Sequence, residues 1–228
     1  MSPVMLLTVS AIAAYLVGSV PFSLLIAKFF GGVDLREHGS GNVGATNVAR
    51  TMGAKWGIAA LLCDAAKGMV SVGVIPLVIS MSAEYQIHQG VLGAILAVLG
   101  HMFPVWLKFR GGKGVATALG AVIILAPWIT LYAFISFVFV VFATRIISLA
   151  SMVAAVTFSI AQLTISGKEL WTGYAWSLGV FSVAVPLLII FQHRANIGRL
   201  LRGEESKLSL GKKSSSEEAQ PDDSSNSN

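Results

Sequence analysis

The sequence predicts an all-α integral membrane protein, a polytopic bundle of about seven transmembrane helices with its N-terminus outside and its C-terminus cytoplasmic. Three observations predict it. Of 228 residues, 55% are hydrophobic and only 12% charged, where a soluble domain carries roughly 25% charged residues; mean hydropathy is +0.76. Apolar stretches of helix length follow one another from Val4 to Phe191, leaving no room for an ordinary soluble domain. Basic residues gather in alternate loops between those stretches, as the positive-inside rule expects.

The first stretch, Val4 to Ala27, lacks the basic n-region of a cleaved signal peptide. At roughly 1.5 Å per residue it reaches about 36 Å, enough to be a retained span. The second, Trp56 to Met81, carries Asp64 and Lys67 three residues apart. Each unpaired charge would cost roughly 2.5–3.5 kcal/mol to insert, so the two should pair, as a neutral strut or as part of a substrate site. The third, Ile87 to Leu107, contains His101 and Pro104, which read as a packed turn element. The fourth, Val115 to Ala126, is the weakest, since a dozen residues reach only about 18 Å of a core roughly 30 Å thick. Pro127 divides it from the fifth, Trp128 to Ala143, and Ile146 to Ile165 and Leu170 to Phe191 complete the set.

Loop charge sets the topology. Lys28, Arg36, Arg50 and Lys55 follow the first stretch, Lys108, Arg110 and Lys113 the third, Arg145 the fifth, and Arg194 to Lys213 the seventh. Around Glu84, Pro127 and Lys168 the only basic residue is Lys168 itself. This parity requires Val115 to Ala143 to go across and back, or to enter and return at Pro127 as a re-entrant hairpin. Residues 1–203 are thus expected to form one membrane-embedded domain. Residues 204–228, rich in Ser, Glu, Asp, Lys and Asn, should be a disordered polar cytoplasmic tail.

Several classes fall away. A single Cys63 supports neither a disulfide framework nor a thiolate cluster, and His38, His88, His101 and His193 lack the close pairings of a metal site. The net charge of +5 reflects cytoplasmic loops beside lipid head groups and not nucleic acid.

Three polar, glycine-rich segments fall on the cytoplasmic side. In the first, Gly39 to Asn47 followed by Arg50, small residues, amides and hydroxyls stand beside a fixed cation. Successive glycines let backbone N–H groups approach an anion, and a helix starting near Ala45 would add its positive end. The segment matches G-x-G-x-x-G but follows a membrane helix and not a strand, so the dinucleotide reading fails; a flexible interhelical loop stays open. The second, Phe109 to Gly114, sets Arg110 and Lys113 among three glycines without the Ser or Thr of a P-loop. In the third, His193, Asn196 and Arg199 share a helical stripe. A histidine beside an amide and a cation suits proton transfer next to phosphate, whereas Arg194 and Arg202 read as snorkelling caps.

Gly18, Ser19 and Pro21, then Gly39 to Arg50, Asp64 and Lys67, His101, Phe103 and Pro104 with Gly111 to Thr117, and finally His193 to Glu205 occur in order. Together they resemble the bacterial acyl-phosphate:glycerol-3-phosphate acyltransferase family (PlsY-type), over about Gly18 to Glu205. The resemblance implies a multi-pass bacterial inner-membrane enzyme with its active site facing the cytoplasm. It implies transfer of a fatty acyl group from acyl phosphate to the sn-1 hydroxyl of glycerol 3-phosphate, giving lysophosphatidate and phosphate, with no cofactor or metal. By the same resemblance Ser40, Arg50, Lys113, His193 and Asn196 are catalytic. Gly41, Asn42, Thr46, Asn47, Gly111, Gly112, Gly114, Ser148 and Glu205 would bind substrate or phosphate. None of the four histidines has an aspartate five residues on, so an H-x-x-x-x-D thioester site is not expected. The rival class is a transporter for a phosphorylated metabolite, which would bind near the midplane at a repeat interface.

Overall fold

The computed structural model describes residues 2–172 and 175–208, and every regular element among them is helical. In order these are α1 (Pro3–Ser19), α2 (Phe22–Gly31), α3 (Ala45–Met52), α4 (Ala54–Met69), a π-helical turn (Val70–Val74), α5 (Ile75–Val78), α6 (Ala83–Met102), a 3-10 turn (Val105–Leu107), α7 (Val115–Leu125), α8 (Pro127–Thr144), α9 (Ile147–Ser166), α10 (Glu169–Thr172), α11 (Trp176–Gln192) and α12 (Arg194–Leu201).

Five continuous helical runs are long and apolar enough to cross a bilayer: Pro3–Gly31, Ala54–Val78, Tyr85–Leu107, α8 and α9. A sixth results if α11 and α12, bent by 57° at their junction, count as one. The remaining predicted stretch is α7, whose 11 residues reach only about 16 Å. The six candidate crossings and this short helix therefore occupy the seven expected stretches. The seventh begins differently from expectation, since α10 stands apart from α11.

Surface chemistry matches a lipid environment. Only Ile129 and Thr130 of α8 are buried, and Phe139 and Phe142 are 72% and 81% exposed, which water would not tolerate across a whole helix. Inside the bundle, small residues set the spacing. A Cβ on Gly68 would fall 2.0 Å from the Thr117 carbonyl oxygen and one on Gly120 would fall 1.9 Å from that of Ala65, so α4 and α7 cross with their backbones in contact. Pro186 in α11 has no N–H for the Ser182 carbonyl. That carbonyl instead accepts from Ser159 Oγ at 2.5 Å, which stitches α11 to α9.

Two apolar clusters result. One joins Val98 and Met102 of α6 to Val122 of α7, Phe158 of α9 and Phe181 and Val185 of α11. The other gathers Leu24 and Ala27 of α2, Val48 of α3 and Ala60 of α4 around Leu35 and Val43. The cleft described below lies where they meet. The polar tail is expected from Glu204; within it Glu205 is buried and Leu208 N–H donates to the Arg145 carbonyl at 2.7 Å, whereas Glu204, Ser206 and Lys207 are exposed. The rest of the expected tail, 209–228, lies outside the described residues.

Candidate active site

The three glycine-rich segments converge. All line one cavity of about 810 Å³ between the two clusters. Its polar lining carries Ser40, Asn42, Thr46, Arg50, Lys113 and the buried His193, with Ser40 and Arg50 exposed, and its apolar lining includes Leu119, Val122, Phe134, Phe137, Phe158 and Phe181. A polar mouth thus opens into a greasy chamber between α7, α8, α9 and α11.

Each segment is held by a different device. The loop before α3 wraps the buried Asn47, whose Nδ2 donates to the carbonyls of Leu35 at 3.1 Å and His38 at 2.9 Å while Oδ1 accepts from Ser40 N–H at 2.9 Å. Both amide hydrogens are spent on the backbone, so Asn47 shapes the loop that presents Ser40 and Asn42. α3 starts at Ala45, as the glycine pattern predicts, and its last turn carries Arg50, which makes no side-chain hydrogen bond or ion pair among the described residues. The second segment enters through two left-handed non-glycine residues, Lys108 at φ 51° and Phe109 at φ 62°, a strained approach of the kind that functional loops hold in place. It delivers Lys113, whose Nζ donates to Asn196 Oδ1 at 2.5 Å.

The third segment does not continue α11. The chain bends at His193, and Nδ1 of its imidazole lies 2.8 Å from the Ile189 carbonyl. A carbonyl only accepts, so Nδ1 carries the proton and Nε2 keeps its lone pair. Past α12, Gly203 at φ 72° reverses the chain and returns the Glu205 carboxylate to the cleft. Glu205 Oε1 accepts from Ser148 Oγ at 2.7 Å and Asn196 Nδ2 at 2.5 Å, and Oε2 from Arg199 Nε at 2.7 Å. A single relay therefore runs from Lys113 through Asn196 to Glu205, with Ser148 and Arg199 attached.

These contacts tune charge in the part of the cleft beyond the spanning helices. Burial, then the neighbouring cations Arg199 and Arg50, push the Lys113 ammonium down to about 8 despite Glu205. His193, in the joint after α11, is pushed to about 4 by burial and then by Lys113, so it is neutral at physiological pH. Burial raises the Glu205 carboxyl, but the hydrogen bonds from Ser148, Asn196 and Arg199 together outweigh it and hold the group below its ordinary value.

Among the expected site residues Ser40, Gly41, Asn42, Thr46, Asn47, Arg50, Gly111, Lys113, Gly114, Ser148, His193, Asn196 and Glu205 all line the cavity. Gly112 does not; it faces His101 on the other side of its loop. Arg199, legible only as a continuation of the His193 stripe, proves to be the ionic partner of Glu205. Asp64 and Lys67 pair at 2.9 Å as their spacing predicts. Arg194 stacks on Phe191 at 4.9 Å and Arg202 binds Glu204 at 2.7 Å, both as surface caps.

Residues 8–203 match the family model described as Glycerol-3-phosphate acyltransferase. Similar curated proteins include a glycerol-3-phosphate acyltransferase of Anaeromyxobacter sp. (strain Fw109-5), 42% identical over 91% of this chain and 99% of that protein. Another, from Bacillus cytotoxicus, is 42% identical over 89% of this chain and 95% of its own length. Among solved structures, the crystal structure of PlsY, an integral membrane glycerol 3-phosphate acyltransferase in its glycerol 3-phosphate form, is 37% identical. It superposes with a TM-score of 0.77 over 89% of this chain and 96% of that one.

Proposed function

The chain belongs to the glycerol-3-phosphate acyltransferase family and is an integral membrane acyltransferase, and from that premise we propose that its donor is acyl phosphate and its acceptor the sn-1 hydroxyl of glycerol 3-phosphate. One observation carries the reading. Arg50, Lys113 and Arg199 share a cleft in which, among the described residues, Glu205 is the one acidic group not paired with Lys67, so positive charge is in excess above an apolar chamber. A phosphate head group on an acyl chain has the complementary layout, and a second phosphate fits the remaining positive charge. A transporter reading lacks support, because these segments lie at one end of the bundle and not at a midplane repeat interface.

In the proposed reaction the sn-1 oxygen adds to the acyl carbonyl carbon, the bond from that carbon to the phosphate oxygen breaks, and inorganic phosphate leaves. His193 Nε2 accepts the hydrogen bond of the attacking hydroxyl and orients it. With a pKa near 4 it is a weaker base than a phosphate monoester, whose second pKa is about 6, so the proton passes to phosphate. The protein's work is mostly to position two anions and screen their repulsion. Three catalytic roles follow: Arg50 and Lys113 grip phosphate, Asn196 relays Lys113 to Glu205, and Ser40 supplies a donor from the loop over the cleft.

Loop charge supports seven crossings with the N-terminus outside and the cleft facing the cytoplasm, with α7 as the short crossing or the entering arm of a hairpin. A bacterial inner-membrane location fits its bacterial relatives. The test is to incubate purified protein with acyl phosphate and glycerol 3-phosphate: lysophosphatidate and inorganic phosphate should appear one for one, and acyl-coenzyme A should not substitute. Thioester turnover of comparable efficiency would refute the donor, and no acylation by folded protein would refute the reaction.

A further inference from the structure

Three motifs take no part in the cleft chemistry above: Gly18 to Pro21, Asp64 with Lys67, and His101 with Pro104. The fold gathers all three beneath the Lys113 loop. Asp64, Lys67 and His101 are 1%, 2% and 8% exposed. Lys67 Nζ lies 2.9 Å from Asp64 Oδ1 and donates to the Val20 carbonyl at 2.9 Å and to His101 Nδ1 at 3.0 Å. Ser23 Oγ donates to the other carboxylate oxygen at 2.7 Å. One anion and one cation thus cancel inside spanning helices, as an apolar surround requires.

Neutralisation alone does not account for what rests on the cluster. Gly111 N–H donates to the Met102 carbonyl at 3.0 Å and Gly112 N–H to that of His101 at 3.1 Å, so the loop is laid along the end of α6. A Cβ at position 112 would fall 2.1 Å from His101 Nε2, so the imidazole is the floor against which the loop is seated. The next residue is Lys113. The end of α6 is itself tied to α1, where Tyr15 Oη donates to the Phe103 carbonyl at 2.8 Å.

We propose that the Asp64–Lys67–His101 triad, anchored to Ser23 and to Val20 at the joint between α1 and α2, is a positioning device that sets where the Lys113 ammonium stands in the phosphate cleft. The three residues act through Lys113. Lys67 holds the ring at Nδ1, the ring carries Gly112, and Gly112 fixes the turn from which the Lys113 side chain reaches Asn196. The idea uses the acyltransferase reading only for one of its two readouts.

The experiment compares His101→Leu, which removes the acceptor of Lys67, with His101→Gln, which can keep one, each alone and with Lys113→Ala. The first readout needs no substrate: the rate of reductive methylation at Lys113, followed by mass spectrometry. His101→Leu should change it at least about fivefold and His101→Gln by less than about twofold. The second is kcat/KM for glycerol 3-phosphate, which should fall about ten- to a hundredfold in His101→Leu, mainly through KM, yet by less than about twofold when Lys113 is already alanine. Ser23→Ala, a milder change that takes one hydrogen bond from Asp64, should move both readouts the same way and serves if His101→Leu does not fold. Unchanged Lys113 methylation together with equal losses in the two backgrounds would overturn the proposal. If the wild-type protein failed to acylate glycerol 3-phosphate, the methylation rates would still decide it.

Discussion

Among the described residues Arg50 has no acidic partner, so its removal should subtract a substrate contact and little else. A charge-assisted hydrogen bond contributes about 1.5–3 kcal/mol, so Arg50→Ala or Lys113→Ala should lower kcat/KM about ten- to a hundredfold. Arg50→Lys should recover only part of it, because lysine lacks the planar fork that grips two phosphate oxygens; full activity would show Arg50 to be a topology charge. Lys113 also predicts a pH dependence. Its ammonium is lowered to about 8, so it is cationic below that pH and neutral above it. kcat/KM for glycerol 3-phosphate should therefore fall as pH rises through about 8, and Lys113→Arg, which stays charged, should remove that limb. His193 is tested at the acid end. With its pKa near 4, no acid limb from this residue should appear near 6.5. His193→Gln, which keeps hydrogen-bonding capacity, should retain substantial activity with the rest of the pH profile preserved. Near-total loss, with an acid limb in the wild type that the variant abolishes, would instead make His193 the base.

At the scale of elements, the crossing of α4 and α7 fixes the start of α7, and with it Gly114 and Lys113. Gly120→Val must push the helices apart at the Ala65 carbonyl. It should destabilise the protein by about 1–3 kcal/mol, seen as a lower melting temperature in detergent, and raise KM for glycerol 3-phosphate; an unchanged melt would contradict the contact. The apolar runs that became helices were legible because lipid and core select the same side chains, and the sharing of one end by three glycine-rich segments was legible from alternating loop charge. The return of Glu205 was legible only through the family resemblance and not from spacing, because twelve residues separate it from His193 and the link is a backbone reversal at Gly203. Nor was the bend at His193, since the sequence there continues a helical stripe without proline or glycine at the joint. Gly112 and Asn47 belong to motif segments but face inward, against His101 and the loop backbone. A motif marks such residues without saying which way they point.

For the whole molecule, orientation is the first quantity to measure. With Cys63 replaced by serine, a cysteine at Lys168 should react with an impermeant maleimide in intact cells. One at Lys207 should react only after permeabilisation, and the opposite pattern would invert the molecule and put its cleft outside. The layout of the chamber has a further consequence for how the product departs. Phe134 both lines the chamber and is 53% exposed on a helix that faces lipid, so an acyl chain beside it has hydrocarbon on either hand. Moving a methylene from protein to water would cost about 0.8 kcal/mol, whereas moving it sideways into a leaflet costs almost nothing. Product residence time should then be governed by the grip on its head group and be nearly indifferent to tail length, unlike that of a soluble carrier that must surrender its lipid through water.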